Sequence, residues 1–244
     1  MSKRKAIVVG ASSGMGREVA LLLLADGWQV GVAARRADLL QEICDQYPLQ
    51  ATMAVLDICD CSAGEKLANL ADEMGGMDLY FHASGIGKQN PNLSPEINLR
   101  TAATNVDGFT RMIDAAFAYM AAHGGGHIAA LTSIAGTKGL GVAAAYSASK
   151  AYQNVYLQAL EQLANIRRLP IRFTDVRPGF VATALLSDQH TYPMLMDPKR
   201  VAKSIVKAIK CRKHTVVIDW RYCLLTALWR RIPKALWRHL KIKN

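Results

Sequence analysis

The feature that most narrows the fold is a rhythm in the chain. Short runs rich in Val, Ile and Ala stand at 5–10, 29–34, 51–56, 77–83, 126–132, 170–176 and 214–219. Segments of helical length separate them, near 14–26, 36–46, 62–74, 96–122, 145–168 and 198–211. Strands that are apolar almost throughout are buried on both faces, as in a parallel sheet covered by helices. Crossovers between parallel strands are right-handed, so the pattern predicts an α/β fold, a doubly wound parallel sheet of about seven strands with helices on both faces. No repeat, low-complexity tract or linker interrupts the rhythm, and the 244 residues are expected to form a single domain.

Composition removes whole classes. With 51% hydrophobic and 20% charged residues, the chain buries a core and is not a disordered sequence. No run approaches the ~18 consecutive apolar residues of a membrane span. The first strand begins at Ala6, which leaves a secretory signal no room. Cys44, Cys59, Cys61, Cys211 and Cys223 are odd in number and form no CxxC pair, so reduced thiols in a cytoplasmic protein are expected. The six histidines are dispersed, and no metal site is expected.

The first strand runs into Gly10-Ala11-Ser12-Ser13-Gly14-Met15-Gly16, and an apolar helix follows. Glycines at a strand–helix turn let backbone amides approach a pyrophosphate at the helix N-terminus. The spacing is GxxxGxG rather than GxGxxG, and by itself it also describes an ordinary Gly/Ser-rich turn. The second strand ends in Ala34-Arg35-Arg36, about twenty residues on, where an NAD-selective site places an acid for the ribose 2′-hydroxyl. Arginine there suits a 2′-phosphate through paired, charge-assisted hydrogen bonds, which favours NADP(H). Two solvated arginines opening a helix are the alternative. Asp57 is placed either to accept from the adenine amine or to cap a helix.

Further along stand Asn105-Val106-Asp107-Gly108, Thr132-Ser133, Tyr146-Ser147-Ala148-Ser149-Lys150 and Pro178-Gly179-Phe180-Val181-Ala182-Thr183. With the glycine loop, these motifs, in their order and spacing over residues 6–183, resemble the short-chain dehydrogenase/reductase family, whose fold is Rossmann-like. The resemblance implies a catalytic tetrad of Asn105, Ser133, Tyr146 and Lys150. It gives Lys150 the nicotinamide ribose and gives Asn105 a water in a proton relay. It also implies a cofactor frame of Gly10, Ser12, Ser13, Gly14, Met15, Gly16, Arg35, Arg36, Asp57, Ile58, Ala83, Gly85, Pro178, Gly179, Val181 and Thr183. One stretch departs from the pattern. His82-Ala83-Ser84-Gly85 stands where the family usually carries Asn-Asn-Ala-Gly. His82 reads as an interior histidine rather than a second acid/base group.

The residue types carry the chemistry independently. Tyr146 and Lys150 are i and i+4 on a predicted helix and share a face. An ammonium near a phenol favours the phenolate and is expected to lower its pKa from ~10. Tyr146 then serves as acid or base for a carbonyl/alcohol pair, and Ser133 can hydrogen-bond the same oxygen.

Two segments lie outside the resemblance's motifs. Residues 184–197 are largely apolar through Leu185, Leu186, Tyr192, Met194, Leu195 and Met196, which fits either a lid over a lipophilic substrate or plain packing. The net charge of +11 is uneven, because residues 199–244 hold 14 Lys and Arg against one acid, Asp219. Leu225, Leu228, Trp229, Ile232, Leu236 and Leu240 form an apolar stripe at helical spacing, with Arg230, Arg231, Lys234, Arg238 and Lys241 largely between them and Pro233 a possible kink. The segment 220–244 fits an anionic membrane surface, or equally packing on the protein's own body or across an oligomer interface. Nucleic acid is not an expected partner. The expectation is an NADP(H)-dependent oxidoreductase and a homo-oligomer, which the family resemblance implies would pair through 96–122 and 145–168. Its expected substrate is a lipophilic small molecule, a keto-lipid or steroid ketone. A 3-oxoacyl thioester is the enzymatic alternative, and a non-catalytic dinucleotide-binding scaffold the alternative of another class.

Overall fold

The structure, a computed structural model, describes residues 3–183 and 192–242. The expected strands pair as one parallel sheet in the order β3-β2-β1-β4-β5-β6-β7. They are β1 (Lys5–Val9), β2 (Gln29–Ala34), β3 (Ala51–Val55), β4 (Leu79–His82), β5 (Gly126–Leu131), β6 (Ile171–Arg177) and β7 (Thr215–Val217). The order reverses between β1 and β4, so the chain leaves these two strands in opposite directions. A crevice opens at their carboxyl ends.

Alternation along the strands divides the interior into two layers. Ala6 and Val8 of β1 face one core, shared with α1 (Gly14–Ala25), α2 (Ala37–Gln46), α7 (Pro198–Lys210) and α8 (Trp220–Arg231). Ile7 and Val9 face the other, shared with α3 (Ala63–Glu73), α5 (Phe109–Ala122) and α6 (Ala144–Ile166). Ala6 through Val9 have no exposure at all, the result expected for a central strand covered on both faces. Close approach is built in at Gly16, where an added Cβ would lie 2.3 Å from the Gly10 carbonyl oxygen.

One helical expectation is refined and another revised. The segment 96–122 is helical throughout, as expected, but not regular. It is α4 (Pro95–Ala102), a π turn over Ala103–Gly108, and then α5. Such wide turns accommodate one extra residue and often mark functional positions. Here the turn carries Asn105, and Gly108 beside it packs on Ile58. The apolar stripe of the C-terminal segment is also broken. Pro233 has no amide to continue a helix, so α8 stops at Arg231 and a short α9 (Lys234–Trp237) follows. Leu225 and Trp229 turn inward onto the first core, whereas Leu228, Leu236 and Leu240 stay exposed.

Gly16→Ala should lower stability by about 1–3 kcal/mol, because the new methyl meets backbone rather than a movable side chain. Urea unfolding would measure it, and an unchanged midpoint would contradict the close approach.

Candidate active site

The loops leaving β1, β2, β4, β5 and β6 at their carboxyl ends meet at the crevice. The Gly10–Gly16 turn joins β1 to α1 and presents the first amides of that helix. Ala83, the residue after β4, donates its amide to Val9 O at 2.8 Å and packs on Gly16. Met15 is half-buried against the first core. Arg36 folds back over the turn, with Nη2 donating to Ser12 Oγ at 2.9 Å and to Ser13 Oγ at 2.6 Å. Arg35 points outward, its Nη1 3.6 Å from Asp57 Oδ2. Asp57 accepts the Cys59 amide at 3.0 Å, so it caps its own turn and not α3, whose cap position is Ser62. Ile58 is buried under Gly108.

The segment after β6 forms the opposite wall. Pro178 O accepts the Ile134 amide at 3.1 Å, Val181 bridges to Met196, and the Thr183 side chain lies beside Gly14. Gly179 lies flat on the ring of Tyr222, where a Cβ would come within 2.3 Å of the ring. The turn has the features that a dinucleotide's phosphates would meet. The backbone approaches closely at Gly10 and Gly16, the first amides of α1 follow the turn, and β2 ends in Ala34 rather than a carboxylate.

The four expected tetrad residues converge at this crevice. Ser133, just past β5, accepts the Ala135 amide at 3.0 Å and hydrogen-bonds the Tyr146 phenol. Tyr146 opens α6, and Lys150 lies one turn on, its Nζ 5.8 Å from the centre of the Tyr146 ring. Lys150 is 4% exposed and donates to Leu131 O at 3.1 Å and to Gln153 Oε1 at 2.9 Å. Asn105 spends its carboxamide on the β4 loop, accepting Ile86 N at 2.9 Å and donating to Ile86 O at 2.7 Å, with Ser149 Oγ as a third partner at 3.0 Å. Gly85 faces both Asn105 and Lys150.

Electrostatics revise one expectation. Burial pushes the Tyr146 phenol above its ordinary value, and the Ser133 hydrogen bond pulls it back in part. Burial likewise lowers Lys150 from 10.5 to about 8, with Asp175 on β6 opposing the drop. Asp175 is itself buried and held by Thr132 and Arg177. His82 is fully buried, its Nδ1 2.8 Å from the Tyr80 hydroxyl and its Nε2 without a hydrogen bond. Burial first, and then the Lys150 charge, hold His82 down at about 3, so it stays neutral. It is an interior histidine, though only half satisfied.

Sequence reasoning missed two contributors. Gln153 is fully buried between Lys150 and the Asn105 carbonyl, and its place three residues after Lys150 on one helix was the available signal. Tyr222, in the first turn of α8, had none. Its hydroxyl accepts Phe180 N at 3.1 Å and donates toward Pro193 O and Met194 O at 2.9 and 3.1 Å. It thereby ties the wall after β6 to the chain returning at 192–196. Of the anticipated lid, Leu185 and Leu186 lie outside the described residues. Tyr192 and Met196 are buried, with Tyr192 4.7 Å from the Phe180 ring, and Leu195 is half exposed. The C-terminal segment also braces the loop after Ser133. Trp229 Nε1 donates to Thr137 Oγ1 at 2.8 Å, Lys138 Nζ to Ile232 O at 2.8 Å, and Trp237 Nε1 to Gly139 O at 2.8 Å.

A parallel doubly wound sheet with a glycine turn at its switch point defines a nucleotide-binding oxidoreductase fold. The comparisons agree on which kind. The family model of short chain dehydrogenases matches residues 4–192, and the chain belongs to that family. An uncharacterized oxidoreductase of Myxococcus xanthus is 32% identical, the match covering 97% of this chain and 95% of the relative. One from Mycobacterium tuberculosis is 31% identical over 90% of each chain. Among solved structures, a short-chain dehydrogenase from Streptomyces avermitilis superposes with a TM-score of 0.82 over 93% of each chain at 22% identity. ElxO with NADP bound superposes at 0.81 over 91% of this chain and all of its own, at 20% identity. The protein is thus an oxidoreductase that uses a nicotinamide dinucleotide and a small-molecule substrate.

Tyr222→Phe removes a hydroxyl that three partly buried backbone groups share, and should lower stability by about 1 kcal/mol while weakening dinucleotide binding. Thermal unfolding and fluorescence titration with NADPH would read the two effects separately.

Proposed function

We propose that the protein is an NADP(H)-dependent reductase of ketones, and that Asn105, Ser133, Tyr146 and Lys150 carry the reaction. The convergence of Tyr146, Ser133 and Lys150 at the open end of the glycine turn supports this most directly. A bound nicotinamide supplies the hydride to a carbonyl carbon. The Ser133 hydroxyl and the Tyr146 phenol hydrogen-bond the carbonyl oxygen, and Tyr146 gives that oxygen its proton. A raised phenol pKa suits this direction, because Tyr146 must be protonated before it can act as an acid. The Lys150 ammonium stabilises the phenolate left behind. Asn105 holds the β4 loop against α6, and the frame from Gly10 to Thr183 binds the cofactor. Arg36 on Ser12 and Ser13, with Arg35 outside it, is the feature that favours a 2′-phosphate.

The substrate we infer is a lipophilic ketone, a keto-lipid or a steroid, received beside Phe180, Met194 and Leu195. A 3-oxoacyl thioester is the second reading, favoured by the excess of positive charge in residues 199–244. The exposed side chains Trp220, Leu224, Leu228, Leu236 and Leu240, set among arginines and lysines, support reversible attachment to an anionic bilayer. Among the described residues no helix is long and apolar enough to cross one. Exposed Leu99 on α4 and Val155, Leu163 and Ile166 on α6 support pairing of two copies through those helices.

NADPH oxidation over keto-lipids, steroid ketones and 3-oxoacyl thioesters tests this reading. Turnover should be confined to one class and lost in Tyr146→Phe, which should still bind NADPH; binding without turnover on any class would leave a scaffold. Arg36→Ala should raise the KM for NADPH by about ten- to hundredfold and leave that for NADH nearly unchanged, the loss of charge-assisted bonds to one phosphate. The wild-type protein should sediment with anionic vesicles and not with neutral ones, and release as salt rises.

A further inference from the structure

Gln153 has no exposure, lies on the same face of α6 as Lys150, and belongs to none of the motifs read from the sequence. Both ends of its carboxamide are engaged. Oε1 accepts from Lys150 Nζ at 2.9 Å, and Nε2 donates to the backbone carbonyl of Asn105 at 2.8 Å. The orientation follows from chemistry alone. An ammonium has no acceptor and a carbonyl has no donor, so only the oxygen can face Lys150 and only the nitrogen can face Asn105. A glutamate would turn an oxygen on the carbonyl. An aliphatic residue would leave both groups without this partner in a buried place.

We propose that Gln153 is a positioning residue for the reaction, a neutral bridge that locks the Lys150 ammonium to the π turn at Asn105 and holds it in its charged form beneath Tyr146. The proposal rests on the reading of Tyr146 as the proton donor. Lys150 has few other supports. Among the described residues, Leu131 O at the end of β5 is its one other hydrogen-bond acceptor, at 3.1 Å. The titratable groups around it are Asp175 from β6, which favours the charge, His82 from β4, which is neutral, and Tyr146 on its own helix. Removing the Gln153 oxygen therefore makes the ammonium harder to keep, and the phenolate loses its stabilising charge.

Two substitutions test this with opposite signatures. Gln153→Met keeps length and removes both polar atoms. Gln153→Glu keeps an acceptor and adds a charge. Isotope-labelled lysine and tyrosine NMR, with assignments from Lys150→Met and Tyr146→Phe, reads the two titrations without substrate. Gln153→Met should lower the Lys150 pKa by about one unit and raise that of Tyr146, whereas Gln153→Glu should raise Lys150. The acidic limb of the pH profile for alcohol oxidation, where Tyr146 must lose its proton to act as base, should move up by about one unit in Gln153→Met, a roughly tenfold loss of rate at a fixed pH below it, with NADPH affinity little changed. If either folded variant titrates Lys150 and Tyr146 as wild type does, the proposal is overturned. Should Gln153→Met not fold, Gln153→Glu alone decides, since an unmoved Lys150 beside a new carboxylate contradicts the contact. Turnover surviving in Tyr146→Phe would instead overturn the underlying reading of Tyr146 and leave the titration result standing.

Discussion

An ammonium taken out of water needs hydrogen bonds on every side or it sheds its proton. Lys150 is almost completely buried, and much of the architecture around the crevice can be understood as a response to that one group. The carboxyl end of β5 offers the Leu131 carbonyl, β6 brings Asp175 within electrostatic reach, and α6 supplies Gln153. Each of these three influences comes from a different element. The position of the ammonium is thus a consequence of how sheet and helix pack, and a shift of α6 by part of a turn would carry Lys150 and Gln153 together away from the Leu131 carbonyl and Asp175. The burden is visible in the lowered pKa, about 8, which still leaves the group charged near neutrality.

The wide turn at Ala103–Gly108 belongs to the same problem. A regular helix through this segment would bond each backbone carbonyl to an amide four residues on and keep its side chains on regular faces. With one residue more in the turn, Asn105 points its carboxamide at Ile86 and Ser149 while its carbonyl meets Gln153. The loop after β4, the π turn and α6 are then a single hydrogen-bonded unit. His82, where the family usually carries asparagine, hydrogen-bonds the Tyr80 hydroxyl through Nδ1 and packs edge-on against Phe109, and its Nε2 is left unpartnered in the interior.

The sheet and most helices were legible because their signal is local. Periodic apolar residues fix strand and helix wherever the chain passes, and the observed bounds fall within a few residues of those read from the pattern. The glycine turn and the YxxxK pair were legible for the same reason. What failed depended on distant parts. The π turn exists because Asn105 finds Ile86, and nothing within residues 96–122 announces that contact. The stripe from Leu225 to Leu240 was read with a possible kink at Pro233, and there the helix ends outright. The inward face is then completed by Tyr222 and Thr226, polar residues whose hydroxyls find backbone carbonyls. For Tyr146, the sequence shows the neighbouring charge and hides the burial, and burial is the larger effect.

The C-terminal segment consequently carries two demands on one short helix. Its inward side fixes the crevice through Tyr222 on the wall after β6 and Trp229 on the loop after Ser133. Its outward side leaves Trp220, Leu224 and Leu228 in water, which a helix serving only as a brace would not require. Deleting residues 220–244 would therefore remove the brace together with the exposed face and could not separate the proposed attachment from the shape of the crevice. Exchanging only the outward leucines for polar residues leaves Tyr222 and Trp229 in place. Any loss of surface attachment after that exchange belongs to the exposed face alone, because the hydrogen bonds that shape the crevice come from the other side of the helix.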